Sequence, residues 1–95
     1  GADHVRASQG DDYLFVYIPT GKKVSIQLGT ISGNEVKGWW FNPRTGEASE
    51  IGTFSNSGTK EFVPPGKRGR GNDWVLVLDD ASQDFPPPGS TTDFH

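Results

Sequence analysis

Between Gln9 and Gly66, turn-forming residues interrupt the chain at roughly the 8–12-residue spacing typical of all-β sandwiches and barrels. Thirteen glycines and seven prolines among 95 residues supply this punctuation, and nothing between them reads as helix. Pro19-Thr20-Gly21 and Asn42-Pro43-Arg44-Thr45-Gly46 are the strongest turns. In each, an early proline pre-sets φ and a late glycine accepts the positive φ needed to leave the turn. Asn56-Ser57-Gly58 is a third turn, and Pro64-Pro65-Gly66 stops a strand because proline cannot donate to a ladder.

The segments between these turns alternate. In Tyr13–Ile18, Tyr13, Phe15 and Tyr17 share one face, and Leu14, Val16 and Ile18 share the other. Asp73–Leu78 is likewise apolar on both faces, the mark of a strand covered on both sides. Lys22–Leu28 is the half-buried counterpart, with Val24, Ile26 and Leu28 inward and Ser25 and Gln27 outward. His4–Ser8, Val36–Phe41, Glu47–Phe54 and Thr59–Val63 complete about seven strands, with Glu47–Phe54 antiparallel to Val36–Phe41. The expected fold is all-β: an antiparallel β-sandwich, immunoglobulin-like or related, with an open barrel as second choice. Residues 1–80 read as this one domain. Residues 81–95 read as a Pro-rich, linker-like tail expected to be disordered toward its end.

Trp39 and Trp40 are adjacent on an extended strand, so they must lie on opposite sides of a sheet. One fills a core; the other is covered by a second layer, a neighbouring domain or a ligand. If either faces solvent, it is Trp39, whose face also carries Lys37 and Phe41. A flat exposed aromatic stacks on sugar rings or prolines, but large aromatics also dominate small β cores. Arg44, at the hairpin tip, either forks onto a ligand or adjacent domain or pairs within the chain, Glu47 being the nearby acid. Trp39, Phe41 and Arg44 are the candidate ligand-binding or domain-docking residues. Tyr13, Phe15 and Tyr17 form either a platform or, as central-strand residues, part of the core.

The remaining chemistry is thin. The net charge of −3 argues against general affinity for nucleic acid or anionic membranes. Lys67–Asn72 is a basic glycine-rich loop without the Gly-Lys-Ser/Thr of a phosphate-binding loop, and it reads as solvated rather than as a polyanion site. Asp11-Asp12 and Asp79-Asp80 lack the alternating oxygen ligands of a calcium loop and read as turn and edge residues. His4 and His95 are too isolated for a metal site or triad. No cofactor, metal or catalytic residue is expected. No apolar run approaches the roughly 20 residues that cross a bilayer. The absence of cysteine suits the cytosol or an exported bacterial protein equally. The chain also lacks methionine and reads as a segment of a longer protein, with Gly1-Ala2 as a non-native remnant.

Four segments carry a resemblance: Tyr17–Gly21, Trp39–Gly46, Pro64–Gly66 and Asp73–Asp80, in that order and at those spacings. Together they resemble the bacterial domain family named "putative collagen-binding domain of a collagenase". Members typically follow a (β/α) barrel similar to apiosidase-type glycoside hydrolases. The resemblance covers roughly residues 5–80, and the block Trp39–Gly46 is its most specific part. Lys67–Asn72 is longer and more basic than that family suggests, and the Pro-rich tail lies outside its pattern. The resemblance implies a non-catalytic accessory domain, secreted, periplasmic or on the cell surface. Its partner would be a barrel of the same parent chain, with polysaccharide or collagen as a further ligand. The alternative is an independent binding module for collagen, other extracellular matrix or polysaccharide.

Overall fold

The computed structural model describes residues 6–66 and 72–83. Seven strands run as β1 (Arg6–Gln9), β2 (Tyr13–Ile18), β3 (Val24–Gln27), β4 (Glu35–Asn42), β5 (Glu47–Ser55), β6 (Thr59–Phe62) and β7 (Trp74–Asp80). A single 3-10 turn, Ala81–Gln83, follows, and no α-helix occurs among the described residues. The strands form a five-stranded sheet in the order β1-β2-β7-β4-β5 and a two-stranded sheet, β3-β6, with all pairs antiparallel. The expected open, sandwich-like all-β architecture of seven strands is therefore present. Several boundaries differ from expectation: the strand expected over Lys22–Leu28 is confined to Val24–Gln27, and others shift by a residue or two at their ends. The first strand begins at Arg6 among the described residues and runs on to Gln9, and the last continues to Asp80. The 3-10 turn beyond it packs against β4, so ordered structure extends past residue 80.

The small sheet covers one face of the large one. Leu14, Val16, Ile18, Val36, Trp40, Leu76 and Leu78 project from the large sheet against Leu28, Ile31 and Phe62. Each such buried apolar side chain contributes about 1.5–3 kcal/mol. Trp40 meets Trp74 edge-on, with ring centroids 6.3 Å apart at 73°. Phe54 and Phe62, centroids 5.6 Å apart, join the two sheets at the β5 side, where the Lys60 ammonium lies 5.1 Å from the Phe54 ring. Gly38 makes room for this join, since a Cβ there would come 3.1 Å from the Phe54 ring and 3.3 Å from Leu78.

A bulge in β5 is invisible to simple alternation. Gly38 pairs with Gly52 but Trp39 pairs with Glu50, leaving Ile51 as the extra residue, and Gly52 adopts φ 142° to accommodate it. Strict alternation from the inward Phe54 would turn Glu50 inward too. The extra residue turns Glu50 outward instead, where its carboxylate lies 3.9 Å from Lys37.

The loop between β3 and β4 carries Leu28 and Ile31 into the core, and Asn56 holds it there. The Asn56 side chain donates to the carbonyls of Ile31 (2.8 Å) and Gly33 (2.9 Å) and accepts from the Gly29 amide (2.8 Å). Ser32 N donates to the Asp11 carbonyl at 2.8 Å, tying the same loop to the β1–β2 turn. Removing a side chain that satisfies several backbone groups at once leaves them unpaired, at a cost of roughly 1–3 kcal/mol. Asn56→Ala is expected to lower unfolding stability by that amount in urea titrations. Exposed Ser57→Ala should stay within about 0.5 kcal/mol of the parent.

Candidate functional site

The strand order brings the ends of β2, β4 and β6 and the beginnings of β3, β5 and β7 to one end of the molecule. The β4–β5 hairpin lies here. Asn42 Oδ1 accepts from the Arg44 amide at 2.9 Å and from Arg44 Nε at 3.1 Å, and Asn42 O accepts from the Gly46 amide at 2.8 Å. Gly46 takes φ 81°, as a hairpin exit requires. Arg44 then reaches across to the start of β7. Its Nε lies 3.3 Å from Asp73 Oδ1, its Nη1 donates to Asn72 Oδ1 at 3.3 Å, and its guanidinium carbon stands 5.2 Å from the Trp74 ring.

The acidic partner of Arg44 is thus Asp73 and not Glu47. Glu47 begins β5 and pairs with Asn42 in the ladder, whereas Asp73 immediately precedes the strand beside β4. The other Asp73 oxygen accepts from the Tyr17 hydroxyl at 3.3 Å, so one carboxylate joins β2 to the hairpin. Burial, then the neighbouring Asp73 charge, raises the Tyr17 hydroxyl above its ordinary value, and Arg6 opposes them.

Trp39 and Phe41 lie on the outer face of the large sheet, opposite the core. Two cross-strand rows run there: Tyr17, Val75, Phe41 and, beside it, Phe15, Val77, Trp39. Phe41 is half-buried, and Trp39 is only 5% exposed. Trp39 is therefore not part of a solvent-facing strip with Phe41 and Arg44. Lys37 Nζ stands 4.9 Å from its ring centre and is held over it by the ion pair with Glu50. Its indole Nε1 is buried and meets no acceptor among the described residues. Trp40 is the core member of the pair.

Tyr13, Phe15 and Tyr17 also occupy this outer face rather than the core. Leu14, Val16 and Ile18 take the face packed on β3 and β6, and the outer position lets the Tyr17 hydroxyl reach Asp73. Tyr17 is 37% exposed, and the Tyr13 and Phe15 rings stack obliquely at 4.8 Å.

Asp79 and Asp80 are buried within β7, where turn or edge positions were expected. Being adjacent on a strand, they face opposite sides and do not act as a pair. Asp80 accepts from Ser32 Oγ at 2.6 Å and from Ser82 Oγ and N at 2.6 and 2.9 Å. These donors, Ser32 first, hold its carboxyl below the ordinary 3.8 despite the opposing effect of burial. A carboxylate fixed as an anion in this way is a poor general acid.

Among the described residues no group of His, Cys, Asp or Glu could hold a metal ion, and no helix is long and apolar enough to cross a membrane. His4, His95 and Lys67–Gly71 lie outside the described residues. Sequence reasoning missed one feature, a cleft of ≈ 400 Å³ lined by Gly21, Lys23, Val63, Pro64 and Gly66. Its lip, Val63, is 64% exposed, and Lys23 at its edge pairs with Glu61 at 3.6 Å. The only signal for it was the strand stop at Pro64-Pro65-Gly66.

The donors around Asp80 make a testable demand. The folded carboxyl titrates below the unfolded one, so its contribution is complete above 3.8 and is lost as pH falls through the folded value. Urea midpoints of the wild-type chain should fall as the pH drops below the ordinary carboxylate value of 3.8. In Asp80→Asn that acid limb should be shallower.

Comparison with known proteins sets this geometry in a family. A solved structure titled "Glycoside hydrolase" is similar to the chain at 35% identity and TM-score 0.82, over 86% of this chain and 18% of its own. A glycoside hydrolase family 5 structure from Bacteroides vulgatus is similar at 30% identity and TM-score 0.85, over 100% of this chain and 20% of its own. The chain thus spans about a fifth of the length of these structures. No curated protein matches it. The family model described as "putative collagen-binding domain of a collagenase" matches residues 1–79. On that match, the chain belongs to this family.

Proposed function

We propose that the chain is a non-catalytic accessory domain of a larger bacterial glycoside-hydrolase-like protein, secreted, periplasmic or at the cell surface, and that it buttresses that protein's catalytic barrel. The carrying observation is its likeness, at 30–35% identity, to a fifth of two glycoside hydrolase chains. The site chemistry agrees. Arg44 is engaged with Asp73, Asn72 and Trp74, and Asp80 is held as an anion, so neither is poised to transfer a proton.

In this reading the docking end is the one that carries Arg44, with Phe41 on the last rung that β4 makes with β7 and exposed Val63 at the lip of the cleft. Trp39 supports β4 from beneath rather than making the contact. A second reading, a binding module for collagen or polysaccharide, is favoured by the description of the matched family. It too would use this end.

The isolated chain is expected to turn over no glycan or peptide substrate. Val63→Asp should change the isolated domain's stability by no more than about 0.5 kcal/mol. In the parent protein the same substitution should split one thermal unfolding transition into two. A single unchanged transition would remove the docking role from this end. A saturable change in tryptophan fluorescence with triple-helical peptide or plant polysaccharide would favour the binding module.

A further inference from the structure

The two ends of the molecule differ in charge. Among the described residues, the turns at the docking end carry Lys22, Lys23 and Arg44 against one acid, Asp73. The turns at the opposite end carry Asp11 and Asp12 and no cation, and the buried Asp79 and Asp80 lie beside them. On the adjoining strand ends of the docking side, Glu61 is paired with Lys23 at 3.6 Å, and Glu47 is offset in charge by Arg6. In a chain of net charge −3, the docking end is thus the more cationic one.

The cleft opens on this end, between rigid walls. Gly21 and Gly66 line it at φ 69° and 80°, in turns whose prolines have φ fixed by their rings. Pro64, also in the lining, is buried. Val63 follows the inward Phe62, so it points away from the core at the lip. It is 64% exposed, against 37% for Tyr17, the next most exposed large apolar residue among those described. A lone exposed valine is ordinary. One at the mouth of a preformed cleft, with lysines beside it, makes a receptor for a side chain of matching chemistry.

We propose that the cleft receives one large apolar side chain flanked by carboxylates, presented by another domain of the parent protein. This deepens the buttress reading and rests on it. The chain spans about a fifth of the glycoside hydrolase structures it resembles, so most of such a protein is there to supply the contact. The incoming apolar group displaces water from Val63 and Pro64, while its neighbouring carboxylates meet Lys22 and Lys23. An ammonium has several donors, so Lys23 keeps Glu61 while accepting a second carboxylate as partner. Glycine walls let the visitor approach the backbone closely, and walls that are already shaped add little ordering cost.

Amide NMR of the 95-residue chain, titrated with capped tripeptides, tests this chemistry. The probes are acetyl-Glu-Phe-Glu-amide, acetyl-Glu-Ala-Glu-amide and acetyl-Lys-Phe-Lys-amide. The first should give a saturable shift of the Gly21, Lys23, Val63 and Gly66 amides, and the other two should bind at least about fivefold more weakly. Lys22→Ser/Lys23→Ser should weaken the first peptide at least about fivefold and flatten its salt dependence, with the Leu76 and Leu78 amides unmoved as a check on folding. No saturable shift at millimolar peptide overturns the proposal, as do equal affinities for the Glu-flanked and Lys-flanked probes. Shifts of the same amides that grow with chain concentration in the absence of peptide also overturn it, by giving the cleft to a second copy. The buttress reading fails separately. If Val63→Asp splits the parent's thermal transition but no peptide binds, only the cleft's role as receptor is overturned. If the peptide binds and the parent's transition is unchanged by Val63→Asp, the buttress is overturned and the parent is removed as the source.

Discussion

The large sheet is closed through its last strand. β7 lies between β2 and β4, so the β1–β2 pair and the β4–β5 hairpin are held in one sheet only by the ladder that β7 makes with each. Both tryptophan faces depend on it, with Leu76 opposite Trp40 on one side and Val77 opposite Trp39 on the other. The ladder partners of β7 are far away in sequence, the most demanding kind of contact for a folding chain because loop closure precedes the gain. Residues 74–80 are thus the keystone of the sheet.

The alternation of side chains made much of this fold readable. Tyr13–Ile18 is a strand with the expected bounds, and β3 and the β4–β5 hairpin lie where their turn residues put them. The opposed tryptophans follow from period two alone. Features that depend on distant residues were not readable. Strand order and the closure around β7 leave no local trace. The Ile51 bulge needs the partner strand to be seen, and Arg44's carboxylate partner is 29 positions away at Asp73. Asp80 looked like an edge residue because its first donor, Ser32, lies 48 positions away in another loop. The inward and outward rows of β2 could both be identified, but which row faces the core is decided by the second sheet.

The candidate site is legible mainly as architecture. The sequence marks Arg44 as a hairpin-tip cation; the structure gives it a positioning role, clamping the hairpin to the entry of β7 through Asp73 and Trp74. Trp39, a natural choice for a sugar or proline platform, is covered and carries a lysine over its ring. A molecule arranged in this way spends its charged and aromatic groups on fixing shape, which suits a domain that braces another.

The bulge at Ile51 has a further consequence for solubility. β5 is an outer strand of the sheet and, at nine residues, its longest. A flat outer strand of that length presents free amides and carbonyls to any other extended chain and invites edge-to-edge association. The extra residue, with Gly52 beside it in a conformation other residues avoid, breaks the regular spacing of those groups near the middle of the strand. No incoming strand can match it along its whole length, so the irregularity that turns Glu50 outward also guards the open edge against polymerisation.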